Sequence, residues 1–273
     1  MGKIQYDYEA IFVDVGQGDA TIIHNLSDMH SVLVDAGIPN PVLSVLKQHA
    51  ELEAIFITHW DKDHIGGMPA VINWIKDQRQ KAVKVFVNRQ FPSSNISKRL
   101  RKTLDEALGN GTIIHSMAYK DFPKQVKLIG GTFFILWPFH EIGLLYPDDR
   151  NLDSVILRFE MEKFSLLLGS DAKGDVWPQL DRTALKADIF RYPHHGGKLY
   201  KNKDDWSADE LISKVNPDWV VVSVGKNNPH RHPSEEFRQA KSKYPTIQFL
   251  DTTKGNIRLQ IENSTGNIIK MRE

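Results

Sequence analysis

The stretch FITHWDKDHIGGMP, residues 56–69, decides how the rest of this chain is read. An apolar strand runs into His59, Asp61, Asp63 and His64, and two glycines follow before a new apolar period begins. Four strong oxygen and nitrogen donors within six positions either lie in water or share something that rewards their crowding. A divalent cation is the obvious candidate. Alternate side chains of an extended segment share a face, so His59, Asp61 and Asp63 are expected to project together, with His64 following as a helix starts. Gly66 and Gly67 carry no side chains, which would let the backbone pass close to whatever the donors hold. The bland alternative is a polar loop of accidental content, and the loop's place at the end of a buried strand argues against it.

The surrounding sequence supplies a scaffold. EAIFVDVG (9–16), DATIIHNL (19–26) and HSVLVDAG (30–37) read as a strand meander broken at Gly and Asn, and LEAIFITH as a buried strand. PVLSVLKQHA reads as a helix with Pro41 at its first position. Met68, Ile72 and Ile75 recur at helical spacing after the glycines, and AVKVFVN (82–88) is the next strand. Residues 89–125 read as a polar helical insertion, with Lys98, Arg99, Arg101 and Lys102 forming either a solvated basic face or a contact for substrate phosphate. In the second half GTFFILWP, DSVILRFEM, KFSLLLGSDA, ADIFRYPHHGG and PDWVVVSVGKNN are strands, VWPQLDRTAL a short helix, SEEFRQAKSKY a helix, and GNIRLQIENSTGNIIKMR a hairpin turning at 263–266. Strands with a few helices in both halves suggest two packed sheets with helices outside, as a single domain over 1–273.

Bulk composition is that of a globular protein. Of 273 residues, 41% are hydrophobic and 25% charged, and the formal net charge is +1, so whole-molecule electrostatics call for neither a nucleic-acid nor a membrane partner. With no cysteine, disulfides, thiolate nucleophiles and Cys-based zinc sites are excluded, and any metal must be held by His, Asp and Glu. The start MGKIQYDYEAIFVDVGQGD lacks the apolar core of a signal peptide, and no run approaches membrane-spanning length; a cytoplasmic location is the expectation. His24, His30, His49, His115 and His140 have no partner pattern and are read as structural or exposed.

THWDKDH resembles the signature loop of the metallo-β-lactamase superfamily, His-x-His-x-Asp-His, with Asp61 in place of the second histidine. That variant is similar to the ComEC-type, competence-protein branch. FVDVGQGDATII, LVDAG, NLDSVILRFE, LLLGSDA, YPHHGGK, SVGKNNPHRHPS and LDTTKGNI match the same branch in order along nearly the whole chain. The resemblance implies an αββα four-layer sandwich with a site for one or two divalent ions, Zn²⁺ or Mn²⁺. It implies that His59 and Asp61 serve one ion, Asp63 and His64 the other, that Asp171 bridges them, and that His195 completes the second site. Asp35 would orient a ligand histidine from behind. Asp19, in the turn around Gly16 and Gly18, would brace the backbone.

Three features depart from the family pattern. Asn151, Leu152, Asp153 and Ser154 stand where a further histidine is usual, Ser170 stands where a glycine is usual, and Arg231 replaces a small residue. The first departure is compatible with single-metal operation or a preference for manganese. Of the paired histidines, His195 is taken as the ligand and His194 as a group touching substrate or orienting a ligand. His232 is expected to protonate the leaving oxygen, with Lys226, Asn227 and Arg231 near the phosphate; the bland reading is a polar strand-to-helix connection capped by Ser234.

The expected activity is a metal-dependent phosphodiesterase, a nuclease cleaving DNA or RNA with metal-activated hydroxide oriented by Asp63. Two rivals stand beside it. One is a small-molecule hydrolase of the same fold, acting on a lactone, thioester or cyclic nucleotide. The other is a catalytically weak binding subunit that kept the fold, working with protein partners in a soluble assembly. Metal content and phosphodiester hydrolysis separate the three.

Overall fold

The computed structural model describes residues 6–48, 51–78, 81–88, 93–117, 124–138 and 150–271. The first half contains β1 (Tyr8–Phe12), β2 (Thr21–Asn25), β3 (His30–Val34), α1 (Pro39–Leu46), β4 (Glu51–Ile57), α2 (Lys62–Ile65), α3 (Met68–Gln78), β5 (Val83–Val87), α4 (Asn95–Gly109) and β6 (Ile113–Met117). The second contains β7 (Gln125–Leu128), β8 (Gly131–Trp137), β9 (Ile156–Glu160), β10 (Ser165–Leu168), α5 (Arg182–Leu185), β11 (Ile189–Arg191), α6 (Ala208–Val215), β12 (Trp219–Val222), α7 (Glu235–Ser242), β13 (Gln248–Asp251), β14 (Ile257–Glu262) and β15 (Asn267–Lys270).

These strands form two mixed sheets, ordered β15-β14-β1-β2-β3-β4-β5-β6 and β13-β12-β11-β10-β9-β8-β7. Each begins as an antiparallel meander and continues as parallel strands: β3 to β6 in the first and β10 to β13 in the second. The C-terminal hairpin β14–β15 returns to the first sheet and pairs with β1. One apolar cluster, including Phe12, Phe56, Phe133 and Phe159, lies between the sheets. A second joins the outer face of the first sheet to α1, α3 and α4, and a third joins the other sheet to α6 and α7. The result is the αββα sandwich. No helix among the described residues is long and apolar enough to cross a membrane.

Several local expectations change. Helix α1 starts at Pro39, two residues before Pro41, because Ile38 is the last extended residue. The stretch 177–185 holds two short turns, Trp177–Gln179 and α5, instead of one helix. The polar helix at 95–109 is a crossover: β6 follows it and pairs in parallel with β5. His24 is buried with its Nδ1 2.8 Å from Ser31 Oγ, and His30 faces Asp28 and Glu51 at the surface. His49 and His140, and the side chain of His115, lie outside the described residues.

The topology decides where chemistry can occur. The loops after β3, β4, β10, β11 and β12 all leave the carboxyl ends of strands, where side chains from separate parts of the sequence converge.

Candidate metal centre

Strand β4 ends at Ile57, and the chain turns so that Asp61 becomes the N-cap of the one-turn helix α2. Asp63 and His64 therefore sit on a helical turn, and the expected alternation from His59 through Asp63 ends at Asp61. His59 and His64 are fully buried, whereas the Asp61 and Asp63 side chains are about one-third exposed. The glycines serve a different contact from the one expected. A Cβ on Gly67 would lie 2.7 Å from Pro39 N and 2.8 Å from Ile38 C. Backbone here packs on backbone, and His64 is locked by the hydrogen bond from Ala36 N–H to its carbonyl, 2.7 Å.

The histidine rings are held from behind. His64 Nδ1 lies 2.8 Å from Asp35 Oδ2, and because a carboxylate only accepts, Nδ1 carries the proton. Asp35 also accepts from Thr58 N–H at 2.9 Å and from the Thr58 hydroxyl, which lies 2.7 Å from Ser170 Oγ. Ser170, unusual for the family, thus joins this buried network. His195 Nδ1 donates to Ser223 O at 3.0 Å. With both Nδ1 atoms engaged, both Nε2 atoms turn toward carboxylates: His64 Nε2 lies 3.1 Å from Asp171 Oδ1, and His195 Nε2 lies 3.1 Å from Asp63 Oδ2 and 3.6 Å from Asp171 Oδ1.

That arrangement fits a divalent cation. His64 Nε2 and Asp171 Oδ1 are buried, face each other, and make no hydrogen bond. A lone pair aimed at a carboxylate oxygen is tolerable only with a positive charge between them, whether proton or metal. Burial alone would push His64 down, but the charges of Asp171 and Asp35 outweigh it and hold the imidazole well above its ordinary range. Burial would raise Asp171, but His64 and His195 hold it well below the usual carboxylate range. Asp63, likewise raised by burial, is brought down to about 2 by the His195 hydrogen bond and the charge of His64. The cluster attracts cations. Imidazole nitrogen with carboxylate oxygen is a donor set for zinc or manganese.

Among the described residues, Asp19, His64, Asp171 and His195 offer ligand atoms within 4.8 Å of one another. Asp19 nevertheless stands behind the rings, 3.7 Å from His64 Nδ1 and 3.4 Å from His195 Nδ1, and forms an ion pair with buried Arg191. Its backbone ties two loops together, through Asp19 N–H to Asp63 O and Gly37 N–H to Asp19 O, both 2.9 Å. The other half of the cluster is sparser: His59 Nε2 and Asp61 Oδ2 are 3.9 Å apart, with the His59 ring 5.0 Å from that of His64.

Asp61, Asp63, Asp171 and His195 line an open cleft of about 990 Å³. His194 and His195 both adopt the left-handed conformation, φ 51° and 54°, and the turn sends their rings apart. His195 faces the carboxylates; His194 lies on the cleft wall with its ring 5.6 Å from that of His232. Burial lowers His194, and burial together with His194 brings His232 down to about 4. His232 is therefore neutral at pH 7, which conflicts with a standing acid. Lys226, Asn227 and Arg231 are exposed and do not line the cleft. The loop turns them outward because Asn228 pins it from inside, with bonds to Gly225 O, His232 O and His232 N–H. The cleft wall instead carries Gln17, from the turn expected at the cleft rim, together with Lys62, Trp60 and His230, to which sequence reasoning gave no role. Lys62, inside the signature loop, was the legible one.

Fold and site define a class: the chain has the metallo-β-lactamase fold. Residues 13–86, from just after β1 into β5, match the family model described as Metallo-beta-lactamase superfamily. Along its length the chain is similar to ComE operon protein 3 of Bacillus subtilis (strain 168), 25% identical over 94% of this chain and 34% of that protein. The chain thus spans about a third of that relative's length. It is also similar to hydroxyacylglutathione hydrolase of Aliivibrio fischeri (strain MJ11), 37% identical over 48% of this chain and 43% of the other. Among solved structures, the metallo-beta-lactamase fold protein YhfI from Bacillus subtilis superposes with a TM-score of 0.57 at 11% identity, covering 90% of this chain and 98% of that one; this likeness concerns the fold alone.

Proposed function

We propose that the chain is a metal-dependent phosphodiesterase, and specifically a nuclease acting on DNA or RNA. The observation that carries the reading is the convergence of His64, Asp171 and His195 at the carboxyl ends of β4, β10 and β11, with both imidazoles held from behind. His59 and Asp61 would hold one ion, Asp63, His64 and His195 the other, with Asp171 between. Zn²⁺ or Mn²⁺ bound there would acidify an adjacent water toward neutral pH and neutralise charge on the attacked phosphate.

The chain's own residues do the rest. Asp35 and the Ser223 carbonyl take the Nδ1 protons and so aim both Nε2 atoms at the cation position, where a metal would replace the Nε2 protons. Asp63 is engaged by His195 through Oδ2, leaving its other oxygen to orient the attacking water from the exposed side. Lys62 on the cleft wall, Lys173 close enough to act on His194, and Arg101 over the Trp60 ring supply positive charge for a polyanion. The similarity to ComE operon protein 3 over most of this chain supports a nucleic-acid substrate. We place the reaction in the cytoplasm, with partners drawn from a soluble assembly.

A second reading, hydrolysis of a small acyl thioester, draws on the match to hydroxyacylglutathione hydrolase and on the apolar wall of Ile38, Trp60 and Ile96. Protein purified without chelator and supplied with Mn²⁺ or Zn²⁺ should cleave bis-p-nitrophenyl phosphate and nucleic acid, and Asp63→Ala and His64→Ala should each lose about 100-fold or more. Equal cleavage by all three proteins would remove the site from the activity. Thioester hydrolysis without phosphodiester cleavage would favour the second reading.

A further inference from the structure

The turn DVGQGDA (14–20) crosses from the first sheet to the loop after β12. A Cβ on Gly225 would lie 2.7 Å from Gln17 N and 3.1 Å from Gly16 C, so the two backbones touch and only glycine fits. Gln17 Oε1 accepts the Gly225 N–H at 3.2 Å. A backbone N–H can only donate, so this bond settles which end of the amide is oxygen. The other end, Nε2, can also only donate, and it faces His232 Nδ1 at 3.5 Å. His232 Nδ1 is thereby an acceptor, and the proton of the neutral ring sits on Nε2. Asn228 holds the backbone of His232 beside Gln17 through its N–H and its carbonyl, both at 2.8 Å.

We propose that Gln17 is a positioning residue that fixes His232 as the Nε2–H tautomer, so that a neutral imidazole presents a hydrogen-bond donor to a substrate oxygen in the cleft. The proposal rests on the hydrolase reading for its catalytic meaning. An imidazolium at His232 would set an N–H against the NH₂ of Gln17, so the residue that selects the tautomer also disfavours the charged acid. Bond-making is not required of His232: it stabilises negative charge on the oxygen without giving up its proton.

The test is Gln17→Glu. A carboxylate still accepts from Gly225 N–H but cannot donate to Nδ1, and it draws a proton there instead. Long-range ¹H–¹⁵N spectra of the full chain labelled at histidine nitrogen should show His232 protonated at Nε2 alone in wild type, and at Nδ1 in Gln17→Glu. Turnover of bis-p-nitrophenyl phosphate by Gln17→Glu should fall about 10- to 100-fold with KM within about twofold. In a His232→Ala background the same substitution should change turnover by less than about twofold. Gln17→Ala, which removes the donor without adding charge, should give mixed tautomers and an intermediate loss, while thermal melts confirm that each variant folds. Wild type protonated at Nδ1, or a Gln17→Glu effect that persists without His232, would overturn the assignment. The spectra read the tautomer whether or not phosphodiesters are cleaved, so the expected tautomer in a protein inactive on them supports this role while removing the hydrolase reading.

Discussion

Asp35→Asn separates metal binding from folding more cleanly than removal of any ligand. Asp35 is buried and accepts from His64 Nδ1 at 2.8 Å, from Thr58 N–H at 2.9 Å and from the Thr58 hydroxyl. An asparagine of the same shape can keep its oxygen on Thr58 N–H. Its NH₂ then occupies the Oδ2 position, and the Thr58 hydroxyl turns to donate to Ser170 Oγ, 2.7 Å away. One casualty is forced: His64 Nδ1 now faces a donor and must become an acceptor. The ring gives up the Nδ1 proton and keeps the one on Nε2, shared with Asp171 Oδ1 at 3.1 Å. Without metal the fold loses one charged hydrogen bond, a cost of about 1.5 kcal/mol. With metal, His64 Nε2 is no longer free to ligate, and affinity should fall about 10- to 100-fold, which is roughly 1.4–2.8 kcal/mol. Competition with a chromophoric chelator measures the affinity, and thermal melts of chelator-stripped protein measure the fold. Unchanged Zn²⁺ affinity alongside an intact fold would refute the claim that Asp35 holds His64 as an Nε2 ligand.

Three further outcomes follow from the same geometry. The raised pKa of His64 stabilises the metal-free fold below its unfolded value near 6.5, and that contribution is lost as pH rises through the higher folded value; the depressed Asp63 acts oppositely, its contribution present above about 3.8 and lost as pH falls toward about 2. Melting temperature of stripped protein should therefore decline above neutral pH, while added Zn²⁺ should stabilise increasingly over the same range because metal replaces the proton; a flat difference between the two curves contradicts this. Ser170 sits at φ 45° with its hydroxyl 2.7 Å from Thr58, so Ser170→Gly should stay within about 1 kcal/mol of wild type, whereas β-branched Ser170→Val should cost at least about 2 kcal/mol more by chemical denaturation. Lys226→Ala should leave kcat/KM for bis-p-nitrophenyl phosphate within about twofold, and Lys62→Ala, on the cleft wall, should raise KM several-fold; the reverse order would return the late loop to the phosphate.

What the sequence disclosed and what it hid follow from range. The loop 59–64 was legible because a run of donors after a β-branched strand is a local signal, and the paired histidines and Asp171 were legible through motifs at strand ends. The Asp19–Arg191 ion pair was not, because it joins a turn to the end of β11, 172 positions along the chain, and neither residue announces its partner. Lys226, Asn227 and Arg231 looked like phosphate ligands by composition, but Asn228 folds the loop so that they face outward. Strand β6 escaped because a long polar helix masks the short crossover that it completes. Helix α6 did carry a local mark, the capping box of Ser207 and Glu210, and could have been read from it.

The central claim is that His64, Asp171, His195 and Asp63 grip a divalent cation. Crystals grown with Zn²⁺ and recorded above and below its absorption edge test it directly. The account requires an anomalous peak about 2.0–2.2 Å from His64 Nε2, His195 Nε2 and an Asp171 oxygen. An empty position, with His64 Nε2 hydrogen-bonded straight to Asp171, would contradict it.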